Sequence, residues 1–483
     1  MARARRSRWW LYGLLTVCAF VSLPLGLLGP QPPAIALAPP STQSPLQLRT
    51  IIAYSLQRQL HEQQRSPVHC QPHPARPNLT SHFNWQTVGV GVHLFSAYYD
   101  RRLSNFHFVR IVAMLRGRAR PTLFCQLWYD SHVLVLETVR TEIWLPHWDQ
   151  HPGENVYNPI LLSCPIPTNF SENSDVPLGV SITLKPCENA EVFLRIKPAS
   201  TSRRNFAVCV KGLNFVDQDI SVRLVEWIEL NMLFGADRFF IYVYSVHPNI
   251  QRVLDYYTEK NLVTTIPITL PGRQPNEPFR RSQFLKRNLW QKRRNELIPY
   301  NDCLYRNIDT YKFVLPLDVD EVIVPVKVSS WKSIFDELLS EDPKVFERYS
   351  SFSVRNAYFF DSFPTSTAMS VPKFLHTMLH TTRSANYSPP EDSVKSFVVT
   401  RSALTVFNHY TLHPLSPTTA RNLVLDTRLV QMNHYKSECS SVTVPECRTK
   451  YLRYPKRDDL LLRFAQELAG RVTPVLKKLE LIK

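Results

Sequence analysis

The chain has 483 residues, 44% of them hydrophobic and 20% charged, and a formal net charge of +17. This length suffices for two or three domains with full cores, and such a charge first raises nucleic acid as a partner. Glycine is scarce, at 12 residues against 38 prolines. Neither a Gly-x-x-x-x-Gly-Lys loop nor a Gly-x-Gly-x-x-Gly fingerprint is present, which excludes the two common phosphate-cradling motifs.

Four of the positive charges, Arg3, Arg5, Arg6 and Arg8, precede a nearly unbroken apolar stretch at 9–28. That stretch is long enough to span a bilayer. Basic residues before it and neutral ones after it put the N-terminus in the cytoplasm and the rest in the lumen. The expectation is a tail at 1–8 and a single-pass type II signal anchor at 9–29. The competing reading, a signal peptide cut after Ala36-Leu37-Ala38, would leave Pro39 just past the cut, which is unfavourable. The remaining basic residues are spread out apart from a cluster at 280–294, and no nucleic-acid motif accompanies them. The expectation is therefore no nucleic acid; an anionic nucleotide-sugar substrate or a solvated basic surface explains the charge.

Residues 30–84 are rich in Pro, Gln, Ser and His and read as an extended stem. Asn78, Asn169 and Asn386 each open a glycosylation sequon, in keeping with a lumenal glycoprotein. Cys18 lies in the apolar stretch. The other eight cysteines, Cys70, Cys125, Cys164, Cys187, Cys209, Cys303, Cys439 and Cys447, form an even set compatible with disulfides in an oxidising compartment. Cys439 with Cys447 is the best local pair. No Cys-x-x-Cys occurs, which argues against zinc.

Between 85 and 205, short alternating runs at 88–94, 106–114, 122–128, 132–137, 176–184 and 191–196 predict a small β-rich domain. From 206 the rhythm changes. A strand at 207–210 is followed by a helix at 221–234, with Glu226 and Glu229 away from its apolar side and Gly235 as its stop. Then come a strand at 238–244, a helix at 247–260, a strand at 262–270 and a mostly helical stretch at 282–306. This alternation predicts an α/β layer with a largely parallel sheet over 206–483. Further strands are expected at 352–360, 396–406 and 425–435, and charged helix at 448–481, interrupted at Pro455 and Pro474. Trp227 and Trp331 sit among apolar helical neighbours and read as core.

The stretch 311–325 carries the chemistry. An apolar run ends at Asp318, Asp320 and Glu321, and a second apolar run follows at once. Bare carboxylates between two buried strands are costly, so they need a cation, a cluster of donors or a cleft. Asp-x-Asp supplies hard oxygen ligands suited to Mn, Mg or Ca. Ligands of parallel sheets sit beyond the carboxyl ends of strands, and the acidic pair falls at such an end.

Six stretches in order, Val210-Lys-Gly-Leu-Asn-Phe215, Arg223-Leu-Val-Glu-Trp-Ile-Glu-Leu-Asn231, Gly235-Ala-Asp-Arg-Phe-Phe-Ile-Tyr242, Asn301-Asp-Cys-Leu-Tyr-Arg-Asn307, Leu317-Asp-Val-Asp-Glu-Val-Ile-Val-Pro325 and Met432-Asn-His-Tyr435, resemble glycosyltransferase family 92 over about 207–454. The resemblance implies a GT-A-like, Rossmann-type mixed sheet flanked by helices, preceded here by the smaller β-rich domain and the anchor. It implies a Golgi enzyme taking a UDP-sugar donor, with Mn2+ or another divalent cation and inversion at the anomeric carbon. Galactose from UDP-galactose, placed on a glycan or glycoprotein acceptor such as fucose of an N-glycan core, is the family activity carried over. The alternative is a catalytically silent lumenal glycan-binding or scaffold protein of the same fold.

On that reading Asp320 is the direct metal ligand, and Asp318 meets ribose or metal-bound water. Glu321 orients them or pairs with a Lys or Arg. His434 is the best third ligand, with His409 and His413 as rivals; neutral imidazole suits Mn. Lys211, Asn214 and Arg223 follow the first strand and are candidates for the nucleotide. Lys395 is a candidate for the diphosphate. Inversion needs a general base; Asp361, Glu391 and Asp392 are the candidates, with no choice among them.

Overall fold

The computed structural model describes residues 67–77 and 85–483, apart from 90, 104–105, 146–147, 150–152, 154, 167–175, 198–202, 366–370 and 440–443. The expected tail and anchor, most of the stem, Asn78 and Asn169 lie outside the described residues. Among the described residues no helix is long and apolar enough to cross a membrane.

The first nine strands are β1 (Gln86–Val88), β2 (Val92–Leu103), β3 (Phe106–Arg116), β4 (Phe124–Trp128), β5 (Val133–Glu137), β6 (Val139–Glu142), β7 (Tyr157–Ile166), β8 (Gly179–Thr183) and β9 (Leu194–Lys197). They form one sheet in the order β5-β4-β8-β9-β2-β3-β7-β6, with β1 on β2. Every pairing is antiparallel except that of β2 with β9. β4 and β7 stand far apart in this order, yet Cys125 and Cys164 are bonded. The sheet therefore curls until its halves face each other across an apolar core that includes Leu94, Val109, Leu127, Leu162 and Ile182. A second disulfide, Cys70–Cys187, ties residues ahead of β1 to the segment after β8.

The second layer begins with β10 (Arg204–Phe215), α1 (Ser221–Phe234), β11 (Arg238–Val246), α2 (Pro248–Glu259), β12 (Val263–Pro267), α3 (Pro278–Arg287), α4 (Leu289–Asn307) and β13 (Tyr311–Pro316). There follow β14 (Glu321–Pro325), α5 (Trp331–Glu341), α6 (Val345–Arg348), β15 (Ser351–Val354), β16 (Asn356–Phe360), α7 (His376–Leu379) and β17 (Thr382–Ser384). Then come β18 (Lys395–Val399), β19 (Ala403–Val406), β20 (Thr411–Pro414), β21 (Leu423–Val424), β22 (Val430–Lys436) and, near the C-terminus, α8 (Ala465–Lys478). The main sheet runs β12-β11-β10-β13-β18-β15-β21. β10 to β13 are mutually parallel where they pair, and β18 joins antiparallel. The chain places β11 and β12 on one side of β10, then crosses to put β13 on the other. This reversal opens a crevice at the carboxyl ends of β10 and β13. A small sheet, β14-β22-β16, lies beside it.

Phe206, Phe313, Phe335 and Phe397 pack with Trp331 in the core between main sheet and helices, Phe313 stacking on Phe335 at 4.3 Å. Trp227 and Trp331 are buried, and their indole N–H groups donate to the carbonyls of Glu321 and Ile323. α4 joins the two layers: Leu297, Tyr300 and Leu304 share a core with Tyr98, Met114 and Leu161 of the curled sheet and with Phe240 and Tyr242 of the main one. Cys209 in β10 is bonded to Cys303 in α4. Cys439 and Cys447 are bonded as expected.

Four local expectations change. Glu226 and Glu229, expected on the outer side of α1, are buried, because β14, α2 and α8 cover that helix on several sides. Glu229 accepts from the Tyr257 hydroxyl. The 352–360 run splits at Arg355 into β15 and β16, which belong to different sheets, and the 396–406 run splits into β18 and β19. The stretch at 448–481 breaks at Pro455 as expected, in a strand at Pro455–Arg457 after a π-helical turn, but Pro474 lies inside α8 and does not interrupt it.

Candidate active site

The crevice predicted by the strand reversal is a cleft of about 630 Å³. β13 delivers its carboxyl end there, and residues 318–321 form a tight turn into β14. The Glu321 N–H donates to the Asp318 carbonyl, and the Asp318 N–H donates to the Glu321 carboxylate at 2.9 Å. Glu321 is 2% exposed, and Lys395 Nζ lies 2.9 Å from it. It thus both orients the turn and pairs with a lysine.

Asp318 lies 3.2 Å from Lys211 Nζ and 3.4 Å from Lys395 Nζ, and accepts from Tyr300 Oη at 3.3 Å. Burial acts to raise its pKa, but the two ammonium groups hold the carboxyl well below the usual range. Asp318 and Glu296 in turn raise Lys211 well above the ordinary lysine value, against the effect of burial. Asp320 faces elsewhere. Its side chain is half exposed, and Oδ2 lies 3.5 Å from His434 Nε2. The antiparallel register pairs Glu321 with His434 across β14 and β22, which is why these residues meet. His434 Nδ1 is 3.4 Å from Glu321 Oε1 and makes no hydrogen bond.

Four carboxylates, Asp318, Asp320, Glu321 and Glu296, thus meet three lysines, Lys211, Lys395 and Lys292, with His434 between two of the acids. The group carries one more negative charge than positive. Oxygen and imidazole donors side by side, with that excess, fit a divalent cation of the Mn type.

The structure brings Asp318, Lys211, Lys395, His434 and Asp392 to one cleft, with Asp320 against His434. His409 also lines it; burial and Lys395 push this imidazole down to about 3, and its Nδ1–H donates to the Val394 carbonyl. The other candidates lie elsewhere. His413 bonds to Thr405. Glu391 pairs with Arg421. Asn214 accepts from Arg281. Arg223 is on the exposed side of α1. Asp361 faces His376 and His380. Asn386 is exposed.

Sequence reading missed one wall. Trp144, Trp148 and Trp290 line the cleft with Phe407; Trp148 stacks on Phe407 at 4.4 Å, and Arg293 covers Trp290 at 5.0 Å. Lys292, Arg293 and Lys436 add positive charge to the lining. The available signal was a pair of tryptophans four residues apart in a polar stretch outside any strand, and a lysine two positions after His434 on the same strand face.

A mixed α/β layer with an acidic turn and basic flanks at its strand reversal defines a protein built to hold an anionic ligand. Residues 204–464 match the sequence model of glycosyltransferase family 92, and the chain belongs to that family. It is also similar to beta-1,4-galactosyltransferase galt-1 of Caenorhabditis elegans, 24% identical over 274 residues. That match covers 54% of this chain and 58% of the relative.

Proposed function

We propose that the protein is a metal-dependent, inverting galactosyltransferase that moves galactose from UDP-galactose to a glycan, fucose of an N-glycan core being the first acceptor to try. The observation that carries this reading is the acidic turn at the strand reversal, left with an unpaired negative charge and set in a basic, tryptophan-walled cleft. The galactose donor rests on the name of the nematode relative. The expected signal anchor, and the sequons at Asn78, Asn169 and Asn386, support a Golgi type II membrane protein with this cleft in the lumen.

Asp320 and His434 would hold the cation, and Asp318, tied to Lys211 and Lys395, fixes the turn that presents Asp320. A divalent cation bound there would supply Lewis-acid stabilisation to a departing diphosphate. Lys292, Arg293 and Lys436 draw the diphosphate in and screen its charge. The tryptophan wall offers flat apolar faces to the acceptor sugar. Asp392 is the general base the cleft favours, because Glu391 is engaged by Arg421 and Asp361 by two histidines.

The test is UDP release from a panel of UDP-sugars. Release from UDP-galactose with Mn2+, its loss with EDTA and a fall of about 10²–10³-fold in Asp320→Ala with the fold retained are expected, the size of one lost transition-state contact. No release from any UDP-sugar with Mn2+ present would leave a silent glycan-binding protein.

A further inference from the structure

Away from the cleft, three side chains with metal-binding atoms converge. His376 and His380 stand at the start and just past the end of α7, one helical turn apart, with ring centroids at 4.1 Å. Asp361, which follows β16, turns toward them. Its Oδ1 lies 3.1 Å from His380 Nε2 and 3.6 Å from His376 Nε2, and the three donor atoms are all within 4.8 Å of one another. Both rings contact Tyr435, at 5.6 and 5.8 Å. Tyr435 follows His434 in β22 and so faces the other side of the small sheet, which separates this cluster from the cleft.

The hydrogen bonds within the cluster leave one nitrogen, His376 Nε2, without a partner. His380 Nδ1 lies 2.8 Å from the His376 carbonyl, which only accepts, so Nδ1 carries the proton. A neutral His380 then aims a bare lone pair at a carboxylate oxygen 3.1 Å away. Protonating His380 repairs that contact but leaves His376 Nε2 sealed from water without a hydrogen bond. Protonating both sets two cations side by side. A metal ion among the three atoms satisfies each of them at once. Tetrahedral zinc with bonds of about 2.0–2.1 Å needs donors roughly 3.3 Å apart, and the two measured separations bracket that. A His Nδ1–H donated to a backbone carbonyl is the usual way a zinc-bound imidazole is oriented. The support is also fixed: buried Glu226 accepts from the backbone N–H groups of His376 and Thr377 and from the Thr377 hydroxyl, which docks α7 on α1.

We propose that Asp361, His376 and His380 bind a zinc ion at a site separate from the nucleotide-sugar cleft, clasping the end of β16 to α7. Asp361 is 40% exposed, so water takes the fourth position. Two imidazoles and one carboxylate favour zinc over the oxygen-seeking Mn, Mg or Ca. The lack of a Cys-x-x-Cys pair argued against zinc, but here the nitrogen donors are histidines at i and i+4. The proposal holds whether or not the cleft is catalytic.

The experiment strips the full chain with chelator, adds zinc chloride alone, removes unbound metal on a desalting column and counts retained zinc by elemental mass spectrometry. One zinc per chain is expected, both in the native protein and in the Asp320→Ala/His434→Ala variant. The His376→Gln/His380→Gln variant should retain none. Asp361→Asn, a milder change at a partly exposed site, should bind at least about 100-fold more weakly, since even outer partners of a zinc ligand are worth roughly 10–100-fold. No retained zinc in the native protein, zinc lost with Asp320 and His434, or affinity unchanged in Asp361→Asn would each overturn the proposal; the last decides the matter if the double histidine variant does not fold.

Discussion

Asp318 and Asp320 are two positions apart yet meet different partners, and this governs what each can do. Asp318 is neutralised by two lysines, whereas Asp320 stands against His434 with Lys211 acting on it only at longer range. Lys395, expected at the diphosphate, is 2% exposed and is the counter-ion of Glu321 and Asp318. Lys395→Met should therefore lose about 3–5 kcal/mol of stability, the cost of stranding a buried charge, read as a lower urea midpoint. A normal midpoint with a raised donor KM would return Lys395 to the diphosphate. Asp392→Asn should lower kcat by about 10²–10⁴-fold, as loss of a general base does, with little change in donor KM. Unchanged kcat would remove Asp392 from the chemistry. The acidic turn was legible because apolar flanks on both sides made a solvated turn improbable. The partners of Asp361 were not, since His376 and His380 lie far along the chain and only the fold of α7 against β16 joins them. The tryptophan wall was hidden for the same reason, being assembled from the curled sheet and α4.

Among the elements, the helices with a clear apolar period were read almost to their ends, and Gly235 was read as the stop of α1. Its φ of 115° and the bonds from Gly235 N–H to Met232 and from Ala236 N–H to Asn231 explain the glycine. An added Cβ there meets nothing within 4 Å, so Gly235→Ala carries only the backbone cost of a left-handed residue, about 1–2 kcal/mol. A lower denaturation midpoint with an unchanged slope is the expected result, and an unshifted midpoint would show that the turn relaxes freely. Strands were harder. β7 contains Pro159 and Pro165, which break the pattern of a strand, yet it pairs with β3 over ten positions and carries Cys164. β15 and β16 read as one strand because neither Gly nor Pro marks a turn between them, and a chain switching sheets keeps its hydrophobic pattern while changing partners.

Across the whole molecule, the cleft depends on how the curled sheet sits on the parallel one, because the curled-sheet segment supplies Trp144 and Trp148. Asp302 in α4 holds the two together. Fully buried, its carboxylate accepts from Tyr98 Oη of β2 at 2.5 Å and from Tyr242 Oη of β11, and it pairs with Arg306 at 2.8 Å. Burial opposes ionisation, but Arg306 and then Lys197 pull the carboxyl down to about 2. An unfolded aspartate titrates near 3.9. Between those values the unfolded chain binds the proton and the folded one does not, so the contribution of Asp302 is complete above about pH 4 and is lost as pH falls toward 2. A shift of this size is worth about 2.6 kcal/mol. Asp100 with Arg102 and Arg110 titrates in the same direction, so the measurement must be a difference between proteins. Asp302→Asn should be less stable at pH 7 by about 3–5 kcal/mol, because Arg306 loses its partner, and its stability should fall less between pH 5 and pH 3 than that of the native chain. Parallel stability curves for the two proteins across that interval would mean that Asp302 is not the ionised link between the sheets.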